Sequence, residues 1–133
     1  MPVVSGSSAK GLAKDLAKEL DWQHVQIESR RFPDTEGYVR IPEASIDSLR
    51  NQDVVVVSNT FPDSGIVETL LSLEAIADVR AGRLDSLKGG KESGEDVGPG
   101  IYLAIPYFGY SRQDKRFQKG EAISAKALGR IFA

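Results

Sequence analysis

The sequence predicts a single α/β domain in which a mostly parallel sheet is flanked by helices. Two short apolar runs, Val54–Val57 and residues 101–105, are typical of strands that are buried on both faces. Around these runs, apolar residues recur at helical spacing, and the alternation of the two periods favours βαβ units. The chain has 133 residues, of which 41% are hydrophobic and 27% charged, and this is the size and composition of one globular domain.

The first strand is predicted at Val3 and Val4, and a helix follows it. Ser7 or Ser8 is the predicted N-cap, because serine side chains accept hydrogen bonds from the free amides of a first helical turn. The predicted core-facing stripe of this helix consists of leucines four residues apart and the alanines beside them: Leu12, Ala13, Leu16, Ala17 and Leu20.

A pair of strands is predicted around residues 30–42. In residues 25–41, apolar residues alternate with polar ones at two places, a period of two that is typical of half-buried strands. These apolar residues are Val25, Ile27, Val39 and Ile41. Residues 32–37, Phe-Pro-Asp-Thr-Glu-Gly, are rich in turn-forming residue types and are predicted to join the two strands.

The central strand of the sheet is predicted at Val54–Val57, where four β-branched residues follow Asp53. A long helix is predicted next, with Asp63 or Ser64 as its N-cap. Its apolar residues recur at helical spacing: Ile66, Val67, Leu70, Leu71, Leu73, Ile76 and Val79.

Residues 101–105 are predicted to form a second buried strand, which Pro106 ends. Residues 81–100 show no period of either kind and contain many glycines, so we expect an exposed loop there. Ser124 is predicted to open a last helix that carries Ala127, Leu128 and Ile131. The chain stops at Ala133, where the alternating pattern would deliver another strand, and this indicates a truncated domain.

The composition excludes several kinds of site and partner. No cysteine is present, which excludes disulfides and cysteine nucleophiles, and a single histidine, His24, excludes a zinc site built from several histidines. The chain has neither a secretory signal at its start nor a run of about 18 apolar residues. Its net charge of -2 offers no global attraction to nucleic acid. We therefore expect a cytoplasmic protein with no membrane and no nucleic-acid partner.

The residues after Pro106 form the most informative segment, because open α/β sheets bind ligands at the carboxyl ends of their strands. Arg112 supplies planar, charge-assisted donors for phosphate, as do the nearby Lys115 and Arg116. Gln113 and Asp114 can address a base or hydroxyl groups. Arg112, Gln113 and Asp114 are called the loop cluster below. The alternative is a solvated loop with aromatic side chains packed beneath it.

A second candidate site, called the turn cluster below, consists of Phe32, Asp34 and Glu36. The two carboxylates can accept from amino or hydroxyl groups, and the phenylalanine ring can stack on a flat base. The alternative is an ordinary turn with routine polar residues and one core phenylalanine.

Three further features have weaker functional interpretations. Free amides near Ser7 and Ser8 can hold an anion, although the sequence favours plain helix capping as the role of these serines. His24 is interpreted as a structural or surface residue and not as a catalytic base, because no serine or metal-ligand partner has a recognisable spacing to it. Lys115, Arg116 and Lys119, with Phe117 among them, suggest a small nucleic-acid patch, which the acidic chain disfavours.

Three motifs, in this order, resemble the ribose-phosphate pyrophosphokinase family, also called phosphoribosyl pyrophosphate synthetases, and especially its archaeal members. Residues 32–36 read Phe-Pro-Asp-Thr-Glu, and residues 105–114 read Ile-Pro-Tyr-Phe-Gly-Tyr-Ser-Arg-Gln-Asp. Lys-Arg-Phe at 115–117 then leads to Gly-Glu-Ala-Ile-Ser-Ala-Lys at 120–126. The resemblance extends over almost the whole chain apart from residues 81–100, which look like an insertion.

The resemblance implies a phosphoribosyltransferase-like fold and a role in nucleotide biosynthesis. Members of the family transfer the diphosphoryl group of ATP to ribose 5-phosphate, giving phosphoribosyl pyrophosphate and AMP, and they require Mg²⁺. Carried over by position, Arg112 and Gln113 are ATP-binding residues, and Asp114 supports their loop. Phe32, Asp34 and Glu36 form the wall beside the adenine of a neighbouring subunit, so the resemblance also implies a homo-oligomer.

The family's remaining functional motifs are expected beyond Ala133: the metal-binding histidine motif, the catalytic flexible loop and the loop that holds ribose 5-phosphate. The resemblance therefore places no catalytic residue and no metal ligand in this chain, and it implies that residues 1–133 are an amino-terminal domain, inactive alone, whose catalytic carboxy-terminal half is absent. Two alternatives remain open, namely a non-catalytic subunit that regulates or scaffolds real synthetases, and a small nucleotide- or nucleic-acid-binding module.

Overall fold

The computed structural model describes residues 1–83 and 99–133. Its elements follow the predicted alternation of strands and helices. In chain order they are β1 (Pro2–Ser5), α1 (Lys10–Glu19), β2 (Gln23–Gln26), β3 (Glu28–Arg31), β4 (Gly37–Arg40), a 3-10 turn (Glu43–Ser45), α2 (Ile46–Arg50), β5 (Val54–Val57), α3 (Asp63–Arg80), β6 (Ile101–Ala104) and α4 (Ser124–Phe132).

Four parallel strands form the main sheet, in the order β2-β1-β5-β6. The predicted central strand, β5, lies between β1 and β6, and Val56 pairs with Val4 on one side and Leu103 on the other. The fold class is confirmed, since this sheet is wholly parallel and helices flank it. The loops after β1, β5 and β6 share the carboxyl edge of the sheet, where α/β proteins bind ligands.

The sheet has a hydrophobic core on each face, because alternate side chains of a strand point in opposite directions. Val3 packs with Val57 and the alanines of α1 on one face. Val4 packs with Val54 and Ile76 of α3 on the other. All these side chains are almost completely buried, and the burial of each valine or isoleucine contributes roughly 1.5–3 kcal/mol of hydrophobic free energy.

Helix α1 forms where the spacing predicts it, but the predicted stripe is only partly right. Ala13 and Ala17 are buried, whereas Leu12 is 52% exposed and Leu20 is 43% exposed. The small alanines permit a close approach of α1 to the sheet, which leaves the larger leucines at its margin. The N-cap is Ala9, so the prediction of a serine cap is wrong.

Helix α3 begins at Asp63 behind the N-cap Pro62, so the prediction that Asp63 or Ser64 caps it is wrong. Its buried face carries Ile76 and Val79 together with small and hydroxyl residues: Gly65, Thr69 and Ser72. Several of the predicted apolar positions are exposed: Val67, Leu70 and Leu71. The apolar surface of α3 is therefore wider than the face that contacts the sheet.

Strand β6 is the edge strand of the described sheet, and its predicted burial on both faces is wrong. Tyr102 is 56% exposed, and Leu103 is half-buried, because β5 is the one strand that pairs with β6 among the described residues. Helix α4 begins at Ser124 as predicted, with Leu128 buried and Ile131 exposed. Most of the predicted insertion, residues 84–98, lies outside the described residues.

None of the helices in residues 1–83 and 99–133 is long and apolar enough to cross a lipid bilayer.

Candidate functional site

The turn cluster lies at the tip of the predicted hairpin. Strands β3 and β4 pair antiparallel, with Glu28 opposite Arg40 and Arg31 opposite Gly37. The Phe32 amide donates to the Glu36 carbonyl at 2.9 Å, and the Thr35 amide donates to the Phe32 carbonyl at 2.9 Å. Thr35 has a left-handed backbone conformation with φ of 76°, which closes the turn.

The Phe32 ring is held by the side chains beside it, although 39% of the residue is exposed. Its centroid lies 5.7 Å from that of Tyr38 in an edge-to-face contact. The guanidinium carbon of Arg30 lies 4.9 Å from the Phe32 centroid and 4.2 Å from the Tyr38 centroid. Phe32 is therefore a partly exposed ring on a packed base, rather than the core phenylalanine of the alternative interpretation.

The two carboxylates of the turn cluster have different surroundings. Asp34 Oδ1 accepts the Glu36 amide at 3.1 Å, which is an Asx turn, so Asp34 has a structural role in the hairpin. Glu36 lines an open groove of about 520 Å³ between the hairpin and α3, which Leu71 borders on the helix side. Among the three residues, Phe32 and Glu36 remain the more available to a ligand.

The segment after β6 is tied to the segment after β5. The Tyr107 amide donates to Asn59 Oδ1 at 3.0 Å, and the Gly109 amide donates to Thr60 Oγ1 at 2.7 Å. A Cβ atom on Gly109 would lie 2.3 Å from the Thr60 carbonyl oxygen, so only glycine permits this approach. Sequence reasoning missed Asn59 and Thr60 as residues of the site, although two polar residues at the carboxyl edge were an available signal.

The loop cluster is exposed and has few contacts of its own. The Gln113 amide donates to the Tyr110 carbonyl at 2.9 Å, and Gln113 Oε1 accepts a hydrogen bond from the Ser124 hydroxyl. In the part of the chain that the structure describes, the side chains of Arg112 and Asp114 make no hydrogen bond or ion pair. The Arg112 guanidinium is thus available to an anion.

The basic residues that follow are partly engaged within their own turn. Arg116 Nε donates to the Glu121 carbonyl at 2.8 Å, and Lys115 Nζ lies 5.3 Å from the Phe117 centroid. The Glu121 carboxylate accepts the Phe117 amide at 2.7 Å and the Gln118 amide at 3.0 Å. These contacts fold residues 116–121 into a local turn beside the loop cluster.

The structure does not bring the turn cluster and the loop cluster together. Within residues 1–83 and 99–133, no hydrogen bond, ion pair or ring contact joins the hairpin tip to residues 112–114. The hairpin instead packs against α3, and the loop cluster lies between β6 and α4. That either cluster binds ATP stays a prediction.

The loop after β1 is closed by an internal carboxylate. Glu68 of α3 accepts hydrogen bonds from the amide and the hydroxyl of Ser7, while the Ser8 hydroxyl accepts the Asn59 amide at 3.1 Å. The amide that the sequence offers to an anion therefore donates to Glu68. Both serines stabilise contacts between elements instead of capping α1.

His24 lies in β2 next to β1, where its Nε2 is hydrogen-bonded to Ser5 Oγ at 2.9 Å. Burial lowers its pKa below the ordinary value of 6.5, and the positive charges of Lys10 and Lys14 on α1 lower it further. The neutral imidazole is the form that the fold prefers.

We expect the free energy of unfolding to decrease as the pH falls through about 6.5, because the unfolded chain then binds a proton that folded His24 disfavours. Replacing His24 by glutamine removes this titration while retaining a polar side chain. Urea unfolding of both proteins at about pH 7.5 and about pH 5.5 measures the effect. A variant whose midpoint falls as much as that of the wild type would contradict the assignment to His24.

Comparisons with known proteins agree with the resemblance in the sequence. A family model of the N-terminal domain of ribose phosphate pyrophosphokinase matches residues 1–86. The chain is 32% identical over 130 residues to the ribose-phosphate pyrophosphokinase of Sulfurisphaera tokodaii, covering 96% of this chain and 38% of that protein. It is 36% identical over 132 residues to the ribose-phosphate pyrophosphokinase of Methanosarcina acetivorans, and this match covers 99% of this chain and 38% of that protein.

A solved structure, phosphoribosylpyrophosphate synthetase from Mycobacterium smegmatis, has a similar fold, with a TM-score of 0.69 and 25% sequence identity. The match covers 97% of this chain and 37% of the solved chain. The chain spans 38% of the length of each of the two curated relatives. The family model covers well over half of the chain, and the solved relative shares its parallel sheet and flanking helices. The chain therefore belongs to the family of ribose phosphate pyrophosphokinase N-terminal domains.

Proposed function

We propose that this chain is the amino-terminal half of a ribose-phosphate diphosphokinase, which transfers the diphosphoryl group of ATP to ribose 5-phosphate and releases phosphoribosyl pyrophosphate and AMP. The observation that carries this proposal is the family match over residues 1–86, together with relatives that bear the name ribose-phosphate pyrophosphokinase. The product is a precursor for nucleotide biosynthesis, and the proposed location is the cytoplasm.

In this proposal the loop cluster binds ATP. Arg112 is exposed and unpaired among the described residues, and a guanidinium offers two parallel donors to a phosphate. The side-chain Oε1 of Gln113 accepts a hydrogen bond from the Ser124 hydroxyl. The side-chain Nε2 of Gln113 is therefore left to donate to the nucleotide. The Asp114 side chain makes no hydrogen bond or ion pair among the described residues, so its role in supporting the loop stays a prediction from the resemblance. Diphosphoryl transfer depends mainly on positioning and charge neutralisation, which are the properties that such a loop supplies.

The turn cluster forms the adenine-side wall of an ATP site in a second copy of the chain. The partly exposed ring of Phe32 suits stacking on a base, and the carboxylate of Glu36 suits acceptance from an amino group. That the site is shared between subunits of a homo-oligomer is carried over from the family resemblance, and the two clusters offer it complementary groups, a cationic donor in Arg112 and a ring and an acceptor in Phe32 and Glu36.

Catalysis is assigned to the part of the relatives that this chain does not cover. Residues 1–83 and 99–133 contain no group of three or more histidine, aspartate or glutamate side chains that could hold a metal ion. We propose that the remaining 62% of the relatives' length, the complement of the 38% matched, supplies the sites for Mg²⁺ and ribose 5-phosphate.

The alternative of a non-catalytic regulatory subunit is not favoured. The relatives in Sulfurisphaera tokodaii and Methanosarcina acetivorans carry the name of the catalyst.

The direct test supplies ATP, ribose 5-phosphate and Mg²⁺ to the native polypeptide that contains this chain, and separately to residues 1–133. We expect AMP and phosphoribosyl pyrophosphate in equal amounts from the native polypeptide and none from residues 1–133, because the two substrates must be held together for transfer. A folded native polypeptide without product would contradict the proposed activity. Product from residues 1–133 would contradict the assignment of catalysis to the uncovered part.

A further inference from the structure

We propose that Thr60 is a positioning residue for the loop that carries Arg112, and that it acts through the backbone amide of Gly109. The proposal rests on the proposed function, since it concerns the same ATP-binding loop. Thr60 lies in the segment between β5 and α3, 52 positions before Arg112 in the sequence, and it does not touch the loop cluster itself.

Thr60 makes three backbone-directed contacts with the segment after β6, and the longest of them is a 3.5 Å hydrogen bond that its hydroxyl donates to the Tyr107 carbonyl. Its side chain is completely buried, and its Oγ1 accepts the Gly109 amide at 2.7 Å. Its own amide donates to the Tyr107 carbonyl at 3.1 Å. Gly109 is buried against the Thr60 carbonyl, where a Cβ atom would not fit, so the two chain segments meet at a fixed separation.

The neighbours of Thr60 extend the same attachment. Asn59 Oδ1 accepts the Tyr107 amide at 3.0 Å, while its Nδ2 donates to the Ser8 carbonyl at 3.0 Å. Asp63 Oδ1 accepts the hydroxyl hydrogen of Tyr110 at 2.6 Å. Tyr110 has a left-handed backbone with φ of 63°, a conformation that a non-glycine residue keeps only where its surroundings hold it.

These contacts determine where Arg112 lies, because its own side chain has no partner among the described residues. Residues 107–110 are held by the segment after β5, and Gln113 is held by the Tyr110 carbonyl and the Ser124 hydroxyl. A loop without this attachment would be ordered only when ATP binds, and the lost conformational freedom would weaken the affinity. Thr60 therefore preorganises the loop before ATP arrives.

The test compares three variants of the native polypeptide. Thr60→Val keeps the shape but removes the hydroxyl, which accepts the Gly109 amide and donates a longer bond to the Tyr107 carbonyl, and Thr60→Ser restores that hydroxyl. Thr69→Val is the matched control, since Thr69 is equally buried and bonds to Ser58 and Gly65 rather than to the loop. Hydrogen exchange of the amides at 107–113 without ATP reports loop order, and titration with ATP reports affinity.

We expect Thr60→Val to speed exchange at Gly109 about tenfold and to raise the Kd and KM for ATP about tenfold with kcat nearly unchanged. This is mainly the effect of losing the hydrogen bond from the Gly109 amide, since the bond to the Tyr107 carbonyl is long. Thr60→Ser is expected within about threefold of the wild type, as is Thr69→Val. Unchanged loop exchange in Thr60→Val would overturn the proposal. Faster exchange with unchanged ATP affinity would also overturn it, because Thr60 would then be merely structural.

Two measurements keep these outcomes separate from folding and from the proposed function. Tyr110→Phe is the second variant, used if Thr60→Val does not fold. It removes the hydrogen bond to Asp63, and because Tyr110 is 38% exposed, the substitution is expected to leave the fold intact. It is expected to speed exchange at 110–113 and to weaken ATP about threefold, and no change in either would overturn the attachment. Arg112→Ala tests the ATP site directly, and an unaltered affinity there would remove the proposed function together with this inference, whatever the exchange shows.

Discussion

Replacing Arg112 by alanine in the native polypeptide is expected to weaken ATP binding about 100-fold, since bidentate charge-assisted hydrogen bonds contribute roughly 1.5–3 kcal/mol or more. The guanidinium makes no hydrogen bond or ion pair within the described residues, so the substitution removes no contact that stabilises the fold. Equilibrium titration with ATP, alongside thermal unfolding, separates the loss of affinity from any loss of stability. The melting temperature is expected to stay the same.

Arg130→Ala is the matched control for this experiment. Arg130 is also an exposed arginine, but it lies in the last turn of α4, away from the loop cluster in sequence. Its loss removes the same charge and changes a favourable helix-dipole interaction by a few tenths of a kcal/mol, so ATP affinity is expected to change less than about threefold. Equal losses in the two variants would mean that net charge matters and that Arg112 is not a specific ligand.

The second large effect is the recovery of ATP binding when two defective proteins exchange subunits. Phe32→Ala and Arg112→Ala are each expected to bind ATP weakly, because each removes one wall of a shared site. Phe32 is a better choice than Asp34, whose carboxylate holds the Glu36 amide and whose loss would disturb the hairpin itself. In a two-fold pair, each mixed dimer has one site with both defects and one with neither. Random exchange makes half of the dimers mixed, so about a quarter of all sites regain full affinity.

Mixing Arg112→Ala with Gln113→Ala provides the control, since both defects lie in the loop cluster and no arrangement of subunits restores an intact site. Mass-tagged subunits show independently that exchange has taken place. If exchange is complete and the Phe32→Ala and Arg112→Ala mixture still binds no better than its components, the turn cluster and the loop cluster do not belong to one shared site. The hairpin tip would then be an ordinary structural turn.

Features that depend on neighbours along the chain were predictable from the sequence. The β-branched run Val54–Val57 forms the central strand, because such residues suit burial on both faces wherever they lie. The turn at residues 32–37 joins an antiparallel pair, since its residue types favour a reversal irrespective of the surrounding fold. The start of α4 at Ser124 and the family resemblance likewise depend on contiguous residues.

Features that depend on residues far apart in the sequence were not predictable. The sequence around a side chain does not show which distant residue will bond to it in the folded protein. Ser7 had the residue type of an N-cap, yet Glu68, 61 positions later, accepts both its amide and its hydroxyl. The leucines and alanines of α1 have the same period, and the distance between helix and sheet selects the alanines for the core. Thr60 gains its place in the candidate site because parallel strands align their carboxyl ends, which brings it to Gly109, 49 positions away.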